Sequence, residues 1–343
     1  MAKKILVTGG AGYIGSHTVV ELQQAGYEVV IIDNLSNSNA DVLEGITRIT
    51  GKRPVFDKVD CTDMQAMKAL FKKYSFDGII HFAASKAVGE SVQKPLMYYH
   101  NNLLSLINIL ELMPPHHVKG LVFSSSCTVY GEPDMNPIDE NAPIKRAASP
   151  YGNTKQINEE IIHDFTQSGA PIKSIILRYF NPIGAHPSAE IGELPLGVPQ
   201  NLVPYITQTG MGIRKKMSVF GNDYNTPDGS CVRDFINVVD LAKAHVIAIE
   251  RMLEDKSDDQ VEIFNLGTGT GLSVLELIHI FEKVSEESLP YEIVGRREGD
   301  IEQIWAQPDK ANKVLGWTAK ETIEDTMASA WRWQQRLRER GVM

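Results

Sequence analysis

Thr8-Gly9-Gly10-Ala11-Gly12-Tyr13-Ile14-Gly15 is the stretch that decides the fold of this chain. It follows an apolar run at residues 3–7 and precedes a helical pattern at residues 16–24, so the order is strand, tight turn and helix. The glycines fit G-x-G-x-x-G from Gly10 and a three-residue spacing from Gly9. Without side chains there, backbone N–H groups and a helix N-terminus can approach a pyrophosphate. The stretch predicts a dinucleotide site.

An acidic residue follows the second predicted strand. Residues 28–32 form that strand, and Asp33 follows it. Its separation from Gly15 along the sequence is close to that at which an acidic residue binds the adenosine ribose. A carboxylate repels a 2′-phosphate, so NAD is favoured over NADP. The alternative for Asp33-Asn34 is an ordinary turn after a strand.

Apolar runs alternate with helical stretches through the first half of the chain. This alternation predicts an α/β protein with a doubly wound parallel sheet of the Rossmann type. We expect an NAD-binding Rossmann domain over residues 1–180 and a smaller mixed α/β substrate lobe over residues 181–343. We leave open whether the helix at 239–252 and its adjoining segments return to the first domain. Strands are predicted at 53–59, 78–82, 119–124, 173–177, 217–220 and 262–266, and helices at 64–73, 95–112, 274–284 and 321–338.

A tyrosine and a lysine stand four residues apart in Ser149-Pro150-Tyr151-Gly152-Asn153-Thr154-Lys155. On a helix this spacing puts the phenol of Tyr151 and the ammonium of Lys155 on one face. A neighbouring cation favours the phenolate, which is a general base for alcohol oxidation. Ser126, after a predicted strand, is placed to hydrogen-bond the reacting hydroxyl; a helix cap is its alternative.

Composition excludes several classes of function. The net charge of the 343 residues is -9, and basic residues form no stripe with interleaved aromatics, so nucleic-acid binding is not expected. The longest nearly uncharged stretch, residues 5–20, contains several glycines and is too short for a bilayer span. The three cysteines lack a C-x-x-C pair, which favours reduced thiols and a cytoplasmic protein. The histidines show no ligand spacing, so no metal is expected.

Four further motifs carry a resemblance to a known family. They are Arg178-Tyr179-Phe180-Asn181-Pro182-Ile183-Gly184-Ala185-His186-Pro187, Phe220-Gly221-Asn222-Asp223-Tyr224 with Asp228-Gly229, Val232-Arg233-Asp234-Phe235, and Arg296-Arg297-Glu298-Gly299-Asp300. With the glycine turn and the Tyr-Lys pair, they make the chain resemble, end to end, the UDP-glucose 4-epimerases, also called UDP-galactose 4-epimerases. These enzymes belong to the extended short-chain dehydrogenase/reductase superfamily. The resemblance implies tightly held NAD, a homodimer, and reversible C4 epimerisation of UDP-glucose and UDP-galactose through a transient 4-keto sugar and bound NADH.

The same resemblance implies a role for each matching residue. Tyr151 is the base toward the sugar O4, Ser126 is its hydrogen-bonding partner, and Lys155 lowers its pKa and binds the nicotinamide ribose. The residues implied at the NAD site are Gly9, Gly12, Tyr13, Ile14, Gly15, Asp33, Asn34, Asp60, Cys61, Phe82, Ala83, Ala84, Lys86, Asn101, Tyr151, Lys155 and Phe180. Those implied at the UDP-sugar site are Lys86, Ser126, Tyr151, Asn181, Asn201, Leu202, Ser218, Phe220, Arg233, Arg297, Asp300 and Ile304.

Related chemistries leave alternatives. Nucleotide-sugar 4,6-dehydratases and UDP-glucuronate decarboxylases commonly carry acids just after the catalytic Ser or Thr, whereas this chain has Cys127 and Thr128, so dehydration is not expected. A UDP-glucuronate 4-epimerase stays open as an alternative. A non-catalytic NAD-sensing relative is a further one, against which the intact Tyr151 and Lys155 argue.

Ile304 leaves the breadth of substrates open. It aligns where hexose-restricted bacterial relatives of this family have a large tyrosine and relatives that accept N-acetylated sugars have a small residue. Isoleucine lies between the two in size, so activity on UDP-GlcNAc and UDP-GalNAc is an open expectation. The alternative is that Ile304 is a packing residue beside Trp305.

Overall fold

The computed structural model describes residues 2–297 and 299–342, so Glu298 of the predicted Arg296–Asp300 motif lies outside the described residues. The described strands alternate with helices through the first half of the chain, as the sequence pattern predicts. The strands are β1 (Lys4–Thr8), β2 (Glu28–Asp33), β3 (Val55–Lys58), β4 (Gly78–His81), β5 (Gly120–Ser124), β6 (Lys173–Tyr179), β7 (Asn181–Ile183), β8 (Met217–Phe220), β9 (Val232–Arg233), β10 (Phe235–Asn237), β11 (Val261–Leu266), β12 (Leu272–Ser273), β13 (Tyr291–Val294) and β14 (Gln303–Ile304).

The helices follow most of the predicted boundaries within a few residues. Short turns of 3₁₀ helix lie at Pro114–His116 and Cys127–Tyr130, and a π-helical turn lies at Ala311–Leu315. The helices are α1 (Tyr13–Gln24), α2 (Val42–Thr50), α3 (Met64–Lys73), α4 (Val88–Gln93), α5 (Pro95–Leu112), α6 (Pro150–Gln167), α7 (Leu202–Gly210), α8 (Val238–Leu253), α9 (Val274–Ser285) and α10 (Ile323–Glu339).

One seven-stranded sheet organises the molecule, in the order β11-β6-β5-β4-β1-β2-β3. Every neighbouring pair in it is parallel. Successive strands run outward from β1 in one direction through β2 and β3, and in the other from β4 onward. The strand order therefore reverses between β1 and β4, and in such sheets ligands bind beyond the carboxyl ends of the strands at that reversal. The predicted fold class, a doubly wound parallel sheet, is confirmed.

The apolar strands are buried because helices cover both faces of the sheet. Ile5, Val7 and Ile31 belong to one core cluster, which includes residues of α1 and α8. Leu6 and Ile79 belong to another, which includes residues of α3, α5 and α6. Side chains of alternate residues along a strand point to opposite faces, so a run such as that of β1 supplies both clusters.

The C-terminal half of the chain returns to this sheet. Strand β11 pairs with β6 over residues 261–266, and α8 packs against α1 and against β4, β5 and β6. The domain division predicted at residue 180 leaves open that the helix at 239–252, which is α8, and its adjoining segments return to the first domain. A first domain that ended at residue 180 would lack β11, an edge strand of the large sheet.

The remaining C-terminal segments build a smaller region around their own core. Strands β8 and β13 pair with each other, and β9 lies between β12 and β14. The core of this region includes Phe281 of α9 and Trp331 of α10, whose rings meet edge to face with centroids 5.4 Å apart. Short strands with covering helices agree with the predicted mixed α/β character of this part.

Gly15→Ala tests the crowding of the first turn. A Cβ on Gly15 would lie 2.3 Å from the carbonyl oxygen of Gly9 and 2.8 Å from the Cα of Gly10, both of them backbone atoms. We expect the free energy of unfolding to fall by about 1–3 kcal/mol, the usual cost of overpacking. Urea denaturation measures the change.

Gly89→Ala is the matched control, because Gly89 lies in α4 and a Cβ there would meet nothing within 4 Å. It should leave stability unchanged or raise it by about 1 kcal/mol or less, since alanine favours helix. Equal unfolding curves for the two variants would contradict the steric account of the turn.

Candidate active site

A cavity of about 1530 Å³ opens at the carboxyl edge of the large sheet, where the strand order reverses. It brings together most of the residues that the sequence singles out. The predicted site residues on its wall are Gly9, Gly12, Tyr13, Ile14, Gly15, Asp33, Asn34, Asp60, Cys61, Phe82, Ala83, Ala84, Lys86, Asn101, Ser126, Tyr151, Lys155, Phe180, Asn181, Asn201 and Leu202.

The glycine turn forms one end of this cavity. Gly9 has a positive φ of +68°, and a Cβ there would lie 2.8 Å from the backbone nitrogen of Ala83. The turn therefore packs directly against the segment that follows β4. Helix α1 begins at Tyr13 with Gly12 as its N-cap, and no side chain caps it. Exposed N–H groups at a helix N-terminus beside a crowded glycine turn fit a bound diphosphate.

Asp33 stands at the end of β2, on the cavity wall. Its carboxylate accepts hydrogen bonds from the backbone N–H groups of Ala11 (3.2 Å) and Leu35 (2.9 Å) and from the hydroxyl of Ser38 (2.9 Å). These contacts fix the carboxylate beside the glycine turn. The neighbouring Asn34 donates to the Asp60 carboxylate at 2.9 Å, which links the ends of β2 and β3. Donors and acceptors at this edge suit the hydroxyls of a ribose.

The Tyr-Lys pair lies on the first turns of α6. Ser149 caps the helix by accepting a hydrogen bond from the N–H of Gly152 at 3.1 Å. This cap fixes the start of the helix, one residue before Tyr151. The Nζ of Lys155 donates to the carbonyl oxygen of Ser124 at 2.7 Å. It lies 5.9 Å from the centroid of the Tyr151 ring. Both side chains are buried, as expected of residues that work in a water-poor site.

Ser126 lies at the end of β5, where the chain enters a 3₁₀ turn. Its hydroxyl oxygen accepts from the N–H of Thr128 at 3.2 Å, so the cap predicted as its alternative role is present. Its hydroxyl also favours the phenolate of Tyr151, because it lowers the pKa of that phenol against the larger effect of burial. Capping and a place on the cavity wall therefore occur together at this residue.

Burial dominates the charge states of the pair. It raises the pKa of the Tyr151 phenol well above its ordinary value, and the Ser126 hydroxyl lowers that pKa only in part. Burial also lowers the pKa of Lys155 to about 8, while the Glu159 carboxylate acts in the opposite direction. The sequence expectation was a phenol with a lowered pKa. Within the protein's own groups burial outweighs the cation, because removing a phenolate from water is costly.

A second group of predicted residues does not line this cavity: Ser218, Phe220, Arg233, Arg297, Asp300 and Ile304. Arg297 donates to both carboxylate oxygens of Asp300, at 2.6 and 3.1 Å, and its guanidinium lies 5.4 Å from the centroid of the Phe220 ring. Arg233 lies 3.8 Å from Asp300. The two arginines thus share one carboxylate. An anionic ligand in this region could bind the same two guanidinium groups.

Ile304 is nearly fully buried rather than exposed to the cavity. It pairs in register with Arg233 and packs in one cluster with Cys127 and Phe180. Those two residues line the cavity, so Ile304 lies behind its wall. Of the second group, Ile304 therefore adjoins the cavity through this cluster, and Arg233 is its neighbour on the paired strand.

Sequence reasoning missed Glu193, which lies in the irregular stretch between β7 and α7. Its carboxylate accepts from Asn201 at 2.5 Å and lies 3.6 Å from the Nζ of Lys86. The indole nitrogen of Trp333 donates to its backbone oxygen at 2.9 Å. The length of the glycine- and proline-rich stretch was the available signal that it is functional; nothing local distinguished this glutamate.

Asn102 and Tyr179 were missed as well. Asn102 accepts from the N–H of Ser85 at 2.8 Å and donates to its carbonyl at 3.0 Å, which holds the segment after β4. The Tyr179 hydroxyl shares a hydrogen bond with the Ser124 hydroxyl at 2.8 Å and lies on the cavity wall. Tyr179 stands inside one of the quoted motifs, which was a usable signal; the contact of Asn102 depends on the tertiary fold.

Over residues 2–297 and 299–342, no helix has the length and apolar character to cross a bilayer. In the same residues, no three His, Cys, Asp or Glu side chains are grouped so that they could hold a metal ion.

Comparisons with known proteins agree with this geometry. The family model described as GDP-mannose 4,6 dehydratase matches residues 6–330. The UDP-glucose 4-epimerase of Bacillus subtilis is 52% identical over 330 residues, which is 96% of either chain. The UDP-glucose 4-epimerase of Stenotrophomonas maltophila, solved with bound NAD and formylated UDP-arabinopyranose, superposes with a TM-score of 0.95 at 46% identity over 98% of this chain and 99% of the other. That of Bifidobacterium longum, solved with NAD+ and UDP, gives 0.94 at 46% identity, over 97% and 98%. The relatives that match over almost the full length of the chain identify its family within the larger group. This chain belongs to the UDP-glucose 4-epimerase family, within the extended short-chain dehydrogenases/reductases.

Proposed function

We propose that Tyr151, Ser126 and Lys155 carry the chemistry of the reaction that this chain catalyses, the reversible C4 epimerisation of UDP-glucose and UDP-galactose. The chain is an NAD-dependent isomerase. The observation that carries the assignment is the buried Tyr151 on the wall of the same cavity as the glycine turn and Asp33. The proposed base, Tyr151, and the proposed dinucleotide site therefore face the same cavity.

The residues at the cavity edge fit NAD as the cofactor. The crowded glycine turn with the N-terminus of α1 would hold the pyrophosphate, and the carboxylate of Asp33 would hold the adenosine ribose. Lys155 would bind the nicotinamide ribose. When bound, NAD would supply the hydride acceptor for oxidation at the sugar C4 and the hydride donor for the reduction that follows.

Tyr151 handles the proton. Its phenolic oxygen takes the proton of the sugar O4 and gives it back after the sugar has turned over, with Ser126 hydrogen-bonded to the phenol. Since burial by itself raises the pKa of the phenol, the base needs nearby positive charge to form. Lys155 supplies a buried positive charge when protonated, and its anchoring to Ser124 fixes where that charge lies.

Epimerisation requires a firmly held nucleotide and a loosely held hexose, because the keto sugar must rotate before reduction. We assign the grip on the diphosphate to Arg233 and Arg297, which share Asp300 in the protein alone. Arginines bind diphosphate oxygens in bidentate geometry, and a diphosphate carries more charge than one carboxylate. Phe220, beside Arg297, is placed to contact the nucleotide. The further residues assigned to the nucleotide and sugar are Asn181, Asn201, Leu202, Ser218 and Lys86.

The buried surroundings of the site support epimerisation over dehydration. Cys127 and Thr128 follow Ser126, and burial raises the pKa of the Cys127 thiol to about 12. A thiol held neutral in this way is a poor acid toward a leaving hydroxyl. The alternatives of a UDP-glucuronate 4-epimerase and a non-catalytic relative are not favoured by the identity with UDP-glucose 4-epimerases.

The domain division, the homodimer and the location of the protein are further proposals. The NAD-binding unit would comprise residues 1–180 with α8 and β11, and the UDP-sugar lobe the rest. Half-buried apolar side chains on α5 and α6, Leu103, Ile107 and Ile157 among them, support pairing with a second copy of the chain. The free, buried cysteines support a reducing cytoplasm.

Tyr151→Phe removes the proton acceptor and keeps the ring. We expect the variant to keep its fold and NAD while kcat for UDP-galactose falls about a hundredfold or more, the usual contribution of general base catalysis. A coupled assay of UDP-glucose formation measures kcat, and the NAD content after gel filtration confirms an intact site. Near-normal turnover would remove Tyr151 from the mechanism.

Lys155→Met removes the buried ammonium and keeps an unbranched side chain of similar length. The phenolate loses cationic support, so the pKa of Tyr151 rises and the acidic limb of the pH-rate profile moves to higher pH. Lys173→Met, on β6 with its charge paired to Asp255 near the surface, is the control that should leave the limb in place. An unmoved limb in the first variant would show that another group sets this pKa.

Ile304 sets the width of the sugar pocket if it acts through Cys127 and Phe180. Ile304→Tyr should then suppress turnover of UDP-N-acetylglucosamine roughly five- to 150-fold relative to UDP-galactose, from an overpacking cost of about 1–3 kcal/mol. Ile304→Ser should shift the ratio the other way. Assays of both substrates with each variant measure the ratio, and parallel changes for the two sugars would exclude Ile304 as the gate.

A further inference from the structure

Glu159 is a buried carboxylate on α6, one turn beyond Lys155. It accepts a hydrogen bond from the hydroxyl of Ser125 at 2.5 Å. Arg178 on β6 donates to it from Nε, at 3.1 Å to each carboxylate oxygen, and from Nη2 at 2.5 Å. The proton-handling scheme above uses none of these contacts, yet they join the helix of the Tyr-Lys pair to two strands of the sheet.

Contacts from α6 hold two successive residues at the end of β5. Lys155 donates to the carbonyl of Ser124, and Glu159 accepts from the hydroxyl of Ser125. The next residue is Ser126, the proposed partner of Tyr151. The backbone that carries Ser126 is therefore held against the helix that carries Tyr151, through two hydrogen bonds on adjacent turns.

The Arg178 end of the pair extends the connection to the 3₁₀ turn that follows Ser126. Arg178 donates from Nη1 to the hydroxyl of Tyr130 at 3.0 Å, and that hydroxyl donates to Asn265 at 2.7 Å. Tyr130 ends the 3₁₀ turn that begins after Ser126 and packs in one cluster with Phe180. A buried ion pair adds little net stability over apolar side chains of the same volume, so stability alone gives no reason for its presence here.

We propose that Glu159 is a positioning residue for the epimerisation, which holds the Ser124–Ser126 strand end against α6 and places a negative charge one turn from Lys155. The proposal rests on the roles proposed above for Tyr151, Ser126 and Lys155. Loss of the carboxylate charge would change the protonation of Lys155, and loss of the hydrogen bond to Ser125 would loosen the turn that carries Ser126.

The groups that face Lys155 from the surrounding elements make Glu159 the source of the favourable charge. His81 on β4 is buried, and burial together with Lys155 lowers its pKa to about 3, so it is neutral. Burial raises the pKa of Tyr179 on β6 to about 12, and it raises that of Tyr151 on α6 itself, so neither phenol is an anion in the protein alone. The carboxylate of Glu159 is the group that opposes the effect of burial on Lys155.

Glu159→Gln tests the charge while an oxygen stays available for Ser125. Without the carboxylate the pKa of Lys155 falls below its value of about 8, so the alkaline limb of the kcat profile should move down by about one pH unit, equivalent to a tenfold loss of the charged form. The Cε resonance of Lys155 in ¹³C-lysine-labelled protein should titrate at correspondingly lower pH, which reports the shift independently of turnover.

Glu262→Gln is the matched control. Glu262 is an equally buried carboxylate paired with an arginine, Arg251, near the amino end of β11 in the same sheet. It should lower the melting temperature without moving the alkaline limb or the Lys155 resonance. A limb and a resonance that stay in place in Glu159→Gln would overturn the proposal and leave a purely structural ion pair.

Ser125→Ala keeps the proposal testable if Glu159→Gln does not fold. It removes the hydrogen bond to Glu159 but leaves the ion pair, so kcat should fall about tenfold with KM and the alkaline limb unchanged, because only the placement of Ser126 is loosened. Wild-type kcat in this variant would overturn the positioning role. Failure of the wild-type protein to epimerise UDP-galactose would instead refute the proposed function, which the same assay detects first.

Discussion

The reversal of strand order between β1 and β4 is the constraint on which the rest of the structure depends. Parallel strands on both sides of that point end at the same edge, so the segments after β1, β2, β4 and β5 must meet there. The meeting is close enough that a side chain at Gly9 would strike the backbone of Ala83. The cavity and its composition follow from this arrangement, since each strand contributes the few residues that come directly after it.

Local patterns predicted the parts of the site that local geometry decides. The glycine turn, Asp33 and the Tyr-Lys pair are each fixed by spacing within one strand-turn-helix unit or one helix, so the sequence located them on the cavity wall. Helix boundaries such as Pro95–Leu112 follow for the same reason. By contrast, Glu193 lies on the cavity wall with its backbone oxygen bound by Trp333, a residue far along the chain. No spacing rule connects such residues.

The charge of the Tyr151–Lys155 pair was the main point at which sequence reasoning and structure differed. The sequence pattern identifies the cation, Lys155, but not how far it is buried in the fold. In the fold, burial opposes both the phenolate of Tyr151 and the ammonium of Lys155, so each group depends on partners that stabilise its charged form. Tyr151 has Ser126, and Lys155 has the carbonyl of Ser124 and the carboxylate of Glu159. The site is therefore a balance between low solvation and fixed polar neighbours, which makes it sensitive to any added charge.

The return of the chain to the sheet has a consequence for synthesis on the ribosome. When residue 180 has left the exit tunnel, β6 is still the edge of an unfinished sheet, and its partner β11 is not made until residues 261–266 have been translated. The nascent chain must therefore carry an apolar, unpaired edge strand while more than one further element is added. Such edges pair readily with other chains. A fragment cut after the glycine turn, the Tyr-Lys helix and β6 would contain most of the dinucleotide motifs and still expose this edge, so the protein is better regarded as one unit of biosynthesis than as two separable modules.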